Sequence, residues 1–159
     1  MEFKIEKIQE QDKEIFKEML LDYLHIEEEK RQEVAINLVE NWIFVTEKKK
    51  IVYIDMAKIE DECIGFVIYQ IDCKESDWCK RPGWGFIREL CVLEKYRQLG
   101  VGTQLLSHAE SKLKALKPKG IYLTSEESWH VKKFYTKNGY ENTHVRDDEN
   151  GEEIFEKGI

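Results

Sequence analysis

The chain has 159 residues, of which 42% are hydrophobic and 36% charged, and its formal net charge is −7. That length suggests one domain, residues 1–159, long enough to bury a core without disulfide or metal staples. The composition excludes a disordered or collagen-like chain. The densest apolar run, Trp42-Ile43-Phe44-Val45, falls far short of the ~20 residues of a membrane helix, and the acidic balance argues against nucleic-acid binding.

In chain order, Phe3 to Ile8 alternates apolar and polar and predicts a short strand. Gln9 to about Arg31 predicts a helix, with Ile15, Phe16, Met19, Leu20, Tyr23 and Leu24 at helical spacing. A second helix is predicted over about 32–46, carrying Ala35, Ile36, Val39, Trp42 and Ile43 on one side. Ile51–Glu60 and Ile64–Asp72 read as a hairpin turning at Asp61-Glu62. After a polar loop over 73–83, Trp84–Leu93 reads as a strand and Gly100–Lys117 as an amphipathic helix stopped by Pro118 and Gly120. Ile121–Leu123 is a short strand and Ser128–Lys137 a helix ended by Asn138-Gly139. The tail, about 140–157, forms two strands around Asn150-Gly151, a pair that favours a type I′ turn. The order β-α-α-β-β-β-α-β-α-β-β predicts an α/β (α+β) fold, a mixed central sheet of about seven strands with helices on both faces.

Charge and cysteine narrow the chemistry. Residues 80–120 hold nine basic and three acidic side chains inside an acidic protein, which points to a local anionic ligand. Cys63, Cys73, Cys79 and Cys91 include no C-x-x-C pair, and the four histidines fall in separate segments, so no metal site is expected. With no signal pattern at Met1-Glu2-Phe3-Lys4, reduced thiols and a cytoplasmic location are expected.

The informative stretch runs from Ile87 to Thr103, where a strand passes through a short loop into a helix. At the join lies R-x-x-G-x-G, formed by Arg97, Gly100 and Gly102. A helix N-terminus offers unpaired N–H groups and about half a unit of positive charge, and glycines let backbone approach an anion closely. Leu105 occupies the place of the third glycine in the dinucleotide fingerprint, and no Walker loop is present. With Val92 before it, the segment resembles the acetyl-CoA signature of the GNAT superfamily of N-acetyltransferases, V-x-P-x-x-R-x-x-G-x-G, except that Glu94 replaces the proline. Phe134-Tyr135-Thr136-Lys137-Asn138-Gly139-Tyr140 resembles that family's second motif. Ser128 stands where the family often has asparagine, and Val131 where it usually has alanine.

The resemblance implies a GNAT-like sheet whose fourth and fifth strands splay apart to admit the pantetheine arm of acetyl-CoA, the co-substrate. Leu90, Cys91 and Val92 would then pair with the pantetheine. The backbone of Gln98, Leu99, Gly100, Val101, Gly102 and Thr103 would hold the pyrophosphate, with Arg97 adding charge or ordering the loop. Ser128 and Tyr135 would complete the cofactor site. The implied activity is direct transfer of an acetyl group to a primary amine of a small molecule or peptide, with no acyl-enzyme.

Glu89 is the candidate general base for the amine, Glu126 and Glu127 being weaker ones, and replacing Glu89 by glutamine is expected to slow the reaction most at low pH. Arg88 is expected on the opposite face, because strand side chains alternate. Tyr135 is the implied proton or hydrogen-bond donor to the leaving sulfur. Cys91, in an apolar strand, reads as a small hydrophobe, not a nucleophile.

The acceptor side would be built from Glu27-Glu28-Glu29, Asp72 to Asp77 and Asp147-Asp148-Glu149, with Trp78 and Trp84, a combination suited to a cationic amine. A non-catalytic acyl-CoA-binding or sensor module on the same fold is the alternative, and an unrelated phosphate-ligand protein a third reading. The C-terminal hairpin could pair across a homodimer, though no sequence feature demands it.

Overall fold

The computed structural model describes all residues, 1–159. Seven strands form one mixed sheet in the order β1-β2-β3-β4-β5-β7-β6. They are β1 (Lys4–Lys7), β2 (Val52–Ile59), β3 (Glu62–Ile71), β4 (Gly85–Val92), β5 (Ile121–Ser125), β6 (Glu141–Arg146) and β7 (Glu153–Lys157). All neighbours are antiparallel except β4 and β5. One face is covered by α4 (Val101–Ala115) and α5 (Trp129–Lys137), over a core that includes Leu105, Ala109, Leu113, Tyr140 and Phe155. The other face is covered by α1 (Lys13–Tyr23) and the helical run α2 (Arg31–Val34), Ala35–Ile43 and α3 (Phe44–Lys48), over Phe16, Leu20, Val39, Ile54 and Phe66. The expected seven-stranded mixed sheet is therefore present.

Several local expectations need correction. The first helix stops at Tyr23, not Arg31, because His25 turns left-handed at φ 55° and the chain restarts in the short 3-10 turn Glu28–Lys30. The middle of the second helix, Ala35–Ile43, is a π-helix, closing with a bond from the Phe44 N–H to the Val39 carbonyl. Its wider turns bury Val39 and Ile43 but leave Ile36 42% and Trp42 36% exposed, so the apolar side read at α-helical spacing is split. The β2–β3 hairpin turns at Glu60-Asp61, one residue early, with Glu60 at φ 53°. The tail turn is not type I′, which needs positive φ at both central residues. Only Gly151 has it, and the Asp147 Oδ1 organises the loop by accepting the Glu149 and Asn150 N–H groups.

Two features of β4 position the site. Its pairing with β5 is confined to Gly85 with Ile121 and Phe86 with Tyr122, after which the strands part. At the closed end the chain is tight: a Cβ on Gly120 would lie 2.5 Å from the Trp84 ring. On its other side β4 carries a bulge, since Tyr69 pairs with Ile87 and Ile68 with Glu89, leaving Arg88 without an opposite residue.

Candidate active site

The bulge decides which side chains meet. Ile87 and Leu90 both pack into the core under α4. Between them, Arg88 and Glu89 both lie on the α1 side of the sheet: the Arg88 Nη1 lies 3.4 Å from Gln70 Oε1, and Glu89 feels the Tyr23 hydroxyl of α1. Arg88 is therefore not on the opposite face from Glu89, because the unpaired residue cancels one step of the strand alternation. Arg88 is fixed by a two-pronged contact with Asp77, 2.8 Å from Nη1 to Oδ1 and 2.8 Å from Nη2 to Oδ2.

Glu89 is half-buried, and desolvation pushes its carboxyl up to about 7 against the opposing pull of the Tyr23 hydroxyl and the Arg88 charge, with Glu152 adding repulsion. Tyr135 stands where it feels the charge of Glu89. Burial first, then Glu89, Glu126 and Glu152, raise its phenol well above the usual tyrosine range, so the hydroxyl keeps its proton and has it to donate. Glu89 and Tyr135, 46 residues apart in sequence, thus lie near enough for the charge of one to act on the other. Tyr23 and Glu152 join them without having been marked by any motif. Both lie in segments whose sequence gives no chemical pattern, and only the chain's folding supplies the link. Cys91 is buried with the α1-side core, and burial pushes its thiol up to about 11, which fits a small hydrophobe.

The loop into α4 fits the phosphates of a CoA. None of the six N–H groups from Gln98 to Thr103 has an acceptor within the protein; the first helical bond runs from the Gln104 N–H to the Gly100 carbonyl at 3.1 Å. Gln98 at φ 64° and Gly100 at φ 86° curve the backbone around this point, and the space beside Gly100 is open to 4 Å. The Arg97 Nε donates to the Val92 carbonyl at 3.0 Å, so this arginine ties the loop to the end of β4. Leu90 and Val92 lie on the parted edge of β4, past its last pair with β5. Ser128 caps α5, its hydroxyl accepting the Val131 N–H at 3.4 Å.

Much of the acidic surface expected at the acceptor side is neutralised internally. The Lys80 Nζ lies 2.9 Å from Asp148 and 3.0 Å from Glu149, with Asp147 at 4.0 Å. Asp77 is held by Arg88, and Asp72 accepts from the backbone of Lys80 and Arg81 and from Tyr122. Trp78 stacks on Phe86 and donates to the Tyr122 hydroxyl, and Trp84 lies under Arg81. The acids grouped around Glu89 and Tyr135 are instead Glu126 and Glu152. No group of three or more His, Cys, Asp or Glu is placed to hold a metal, and no helix is long and apolar enough to cross a membrane.

A parted parallel strand pair thus leads into a helix start whose N–H groups are free to hold an anion. The model of the acetyltransferase (GNAT) domain matches residues 41–142, and the chain belongs to that family. It is an acyltransferase whose co-substrate is acetyl-CoA. No curated protein matches the sequence. Among solved structures, it resembles the PaiA N-acetyltransferase from Thermoplasma acidophilum in complex with coenzyme A, at TM-score 0.74 and 21% identity over 100% of each chain. A GNAT-family acetyltransferase from Staphylococcus aureus Mu50 aligns over 99% of both chains at TM-score 0.72 and 16% identity. An aminoglycoside 6'-N-acetyltransferase complexed with coenzyme A aligns over 98% of this chain and 96% of its own, at TM-score 0.74 and 16% identity.

Proposed function

We propose that the protein acetylates a primary amine of a small molecule or peptide, with Glu89 as the base and Tyr135 as the hydrogen-bond donor to the leaving sulfur. The observation that carries this reading is the convergence of Glu89 and Tyr135 where β4 and β5 part, one a carboxyl poised near 7, the other a phenol that stays protonated. Acetyl-CoA supplies a thioester-activated acetyl group. The chain's part is to hold its phosphates on the N–H groups of Gln98 to Thr103, to align its pantetheine along Leu90–Val92, and to manage two protons.

An ammonium has no lone pair, so the acceptor must lose a proton before it attacks. Glu89, ionised above about pH 7, takes that proton directly or through a water. Tyr135 then offers its hydroxyl to the thiolate; with its acidity suppressed, it stabilises the sulfur by hydrogen bonding more than by outright transfer. The negative field of Glu89, Glu126 and Glu152 favours a cationic acceptor. The aminoglycoside acetyltransferase of similar fold is consistent with amines as the substrate class.

The test is a panel of primary amines with detection of free CoA at pH 7.5, run on the wild type and on Glu89→Gln. Turnover of at least one amine, reduced on the order of 10²-fold by the substitution, is the expected result. Acetyl-CoA binding with no turnover across the panel would return the non-catalytic module; undiminished turnover by the variant would remove Glu89 as base.

A further inference from the structure

We propose that the Asp77–Arg88 ion pair controls whether Glu89 is charged: the β4 bulge sets Arg88 beside Glu89 on the acceptor face, and Asp77 sets how much of the arginine's charge Glu89 feels. The inference rests on the reading of Glu89 as the base, and it casts Arg88 and Asp77 as positioning residues.

In a regular strand, positions 88 and 89 would point to opposite faces. The bulge sets both on the α1 side, where the Arg88 guanidinium is held in a frame. Both terminal nitrogens engage Asp77, and Nη1 also approaches Gln70. Gln70 is anchored in turn, its amide donating to Asp72 Oδ1 at 2.9 Å and to the Trp78 carbonyl at 2.8 Å. Burial raises the Asp77 carboxyl, but the Arg88 guanidinium, with the Trp42 side chain of the π-helix, outweighs it and holds the carboxyl below the ordinary range, so it stays ionised. A fork-to-carboxylate pair of this kind fixes direction as well as charge.

The groups facing Glu89 come from four elements. Tyr23 reaches it from α1, Arg88 and Cys91 flank it on β4, Tyr135 faces it from α5, and Glu152 approaches from the turn before β7. Arg88 is the cation of this set, and its counter-ion is Asp77. Removing either partner therefore changes the field at Glu89 in opposite senses.

The experiment follows the carbon-13 signal of the Glu89 side-chain carboxyl against pH in the full-length protein, the signal being identified by its loss in Glu89→Gln. The wild-type midpoint is expected near 7. Arg88→Met deletes the cation and moves the midpoint up. Asp77→Asn keeps the cation but strips its counter-charge and moves the midpoint down, each by on the order of one pH unit. Arg88→Lys keeps the charge and is expected to stay closer to the wild type than Arg88→Met. A loosened bulge would move Arg88→Met and Asp77→Asn alike, so midpoints that move together, or do not move, overturn the inference. No amine is needed for this readout. Opposite shifts combined with full activity in Glu89→Gln would uphold the coupling while removing the base assignment.

Discussion

At the residue scale, the site depends on one carboxyl being costly to ionise. Glu89 carries an ordinary carboxyl pKa when the chain is unfolded and one near 7 when it is folded, so between roughly pH 4.5 and 7 the native state binds the extra proton. Stability from this residue is therefore fully present below that window and is lost as pH rises through 7. Glu89→Gln should be more stable than the wild type at pH 8, by about 2 kcal/mol, and indistinguishable from it at pH 4.5, as read by thermal or urea melts. The same value revises the expected rate profile. Below pH 7 the wild-type Glu89 already holds its proton, so the rate lost in Glu89→Gln should be greatest above pH 7, between the carboxyl and the amine, not at low pH. Tyr135→Phe should lower kcat about 10- to 100-fold with the acetyl-CoA Kd within about twofold of the wild type, because the role proposed for the hydroxyl is at the sulfur and not at the phosphates. An unchanged kcat would remove Tyr135 from the mechanism. Glu89 and Tyr135 are candidates from the sequence because each sits in or beside a local motif. Tyr23 and Glu152 are not, since what matters about them is proximity to Glu89, and nothing local records it. Arg88 was misplaced for a sharper reason: alternation is a rule for unbroken strands, and one unpaired residue inverts it.

At the scale of elements, the legible parts were those with uniform period. α4 shows its buried stripe in Val101, Leu105, Ala109 and Leu113, and all four are buried. Leu116 fits the same spacing but is exposed, because the helix ends at Ala115. The π-helix was misread because a residue set at three-and-four spacing looks the same until the hydrogen bonds lengthen to i+5. The glycine motif, by contrast, carries its geometry openly. Gly100 takes φ 86°, which an L side chain adopts only under strain of about 1 kcal/mol or more. Nothing lies within 4 Å of where its Cβ would stand, so Gly100→Ala is penalised by backbone conformation and not by collision inside the protein. The expected outcome is a modest fall in stability, about 1 kcal/mol, and a loss of acetyl-CoA affinity of roughly fivefold or more by calorimetry, since the N–H groups around it lose their curve. Gly120→Ala should act the other way round. Its Cβ would collide with Trp84 at the closed end of the strand pair, costing about 1–3 kcal/mol of stability through displaced packing, with the phosphate loop untouched.

At the scale of the whole molecule, two cores lie on opposite faces of one sheet, and the place where β4 leaves β5 is where the sheet is interrupted between them. β3 and β4 remain joined along their length, and β5 is joined to β7, so the gap is flanked by two rigid halves of the sheet. An extended chain with its own hydrogen-bonding groups can fill such a gap as an added strand does. A ligand that bridges both halves and ends on the α4 N-terminus should stabilise the native state by about 2.7 kcal/mol at 100 times its Kd. Its imprint on hydrogen exchange should be local, because different segments open with different free energies. Acetyl-CoA is expected to slow exchange at Leu90 and Val92, on the edge past the last β4–β5 pair, and at Gln98–Thr103, the loop whose N–H groups have no acceptor within the protein, and to leave β1 and the β6–β7 turn unaltered. Free CoA should protect the loop to the same degree, since the phosphates are common to both ligands, and ATP should protect neither segment fully, since it lacks the pantetheine. Protection spread evenly over the sheet, or confined to segments away from residues 90–103, would show that the parted strands are not where the co-substrate lies.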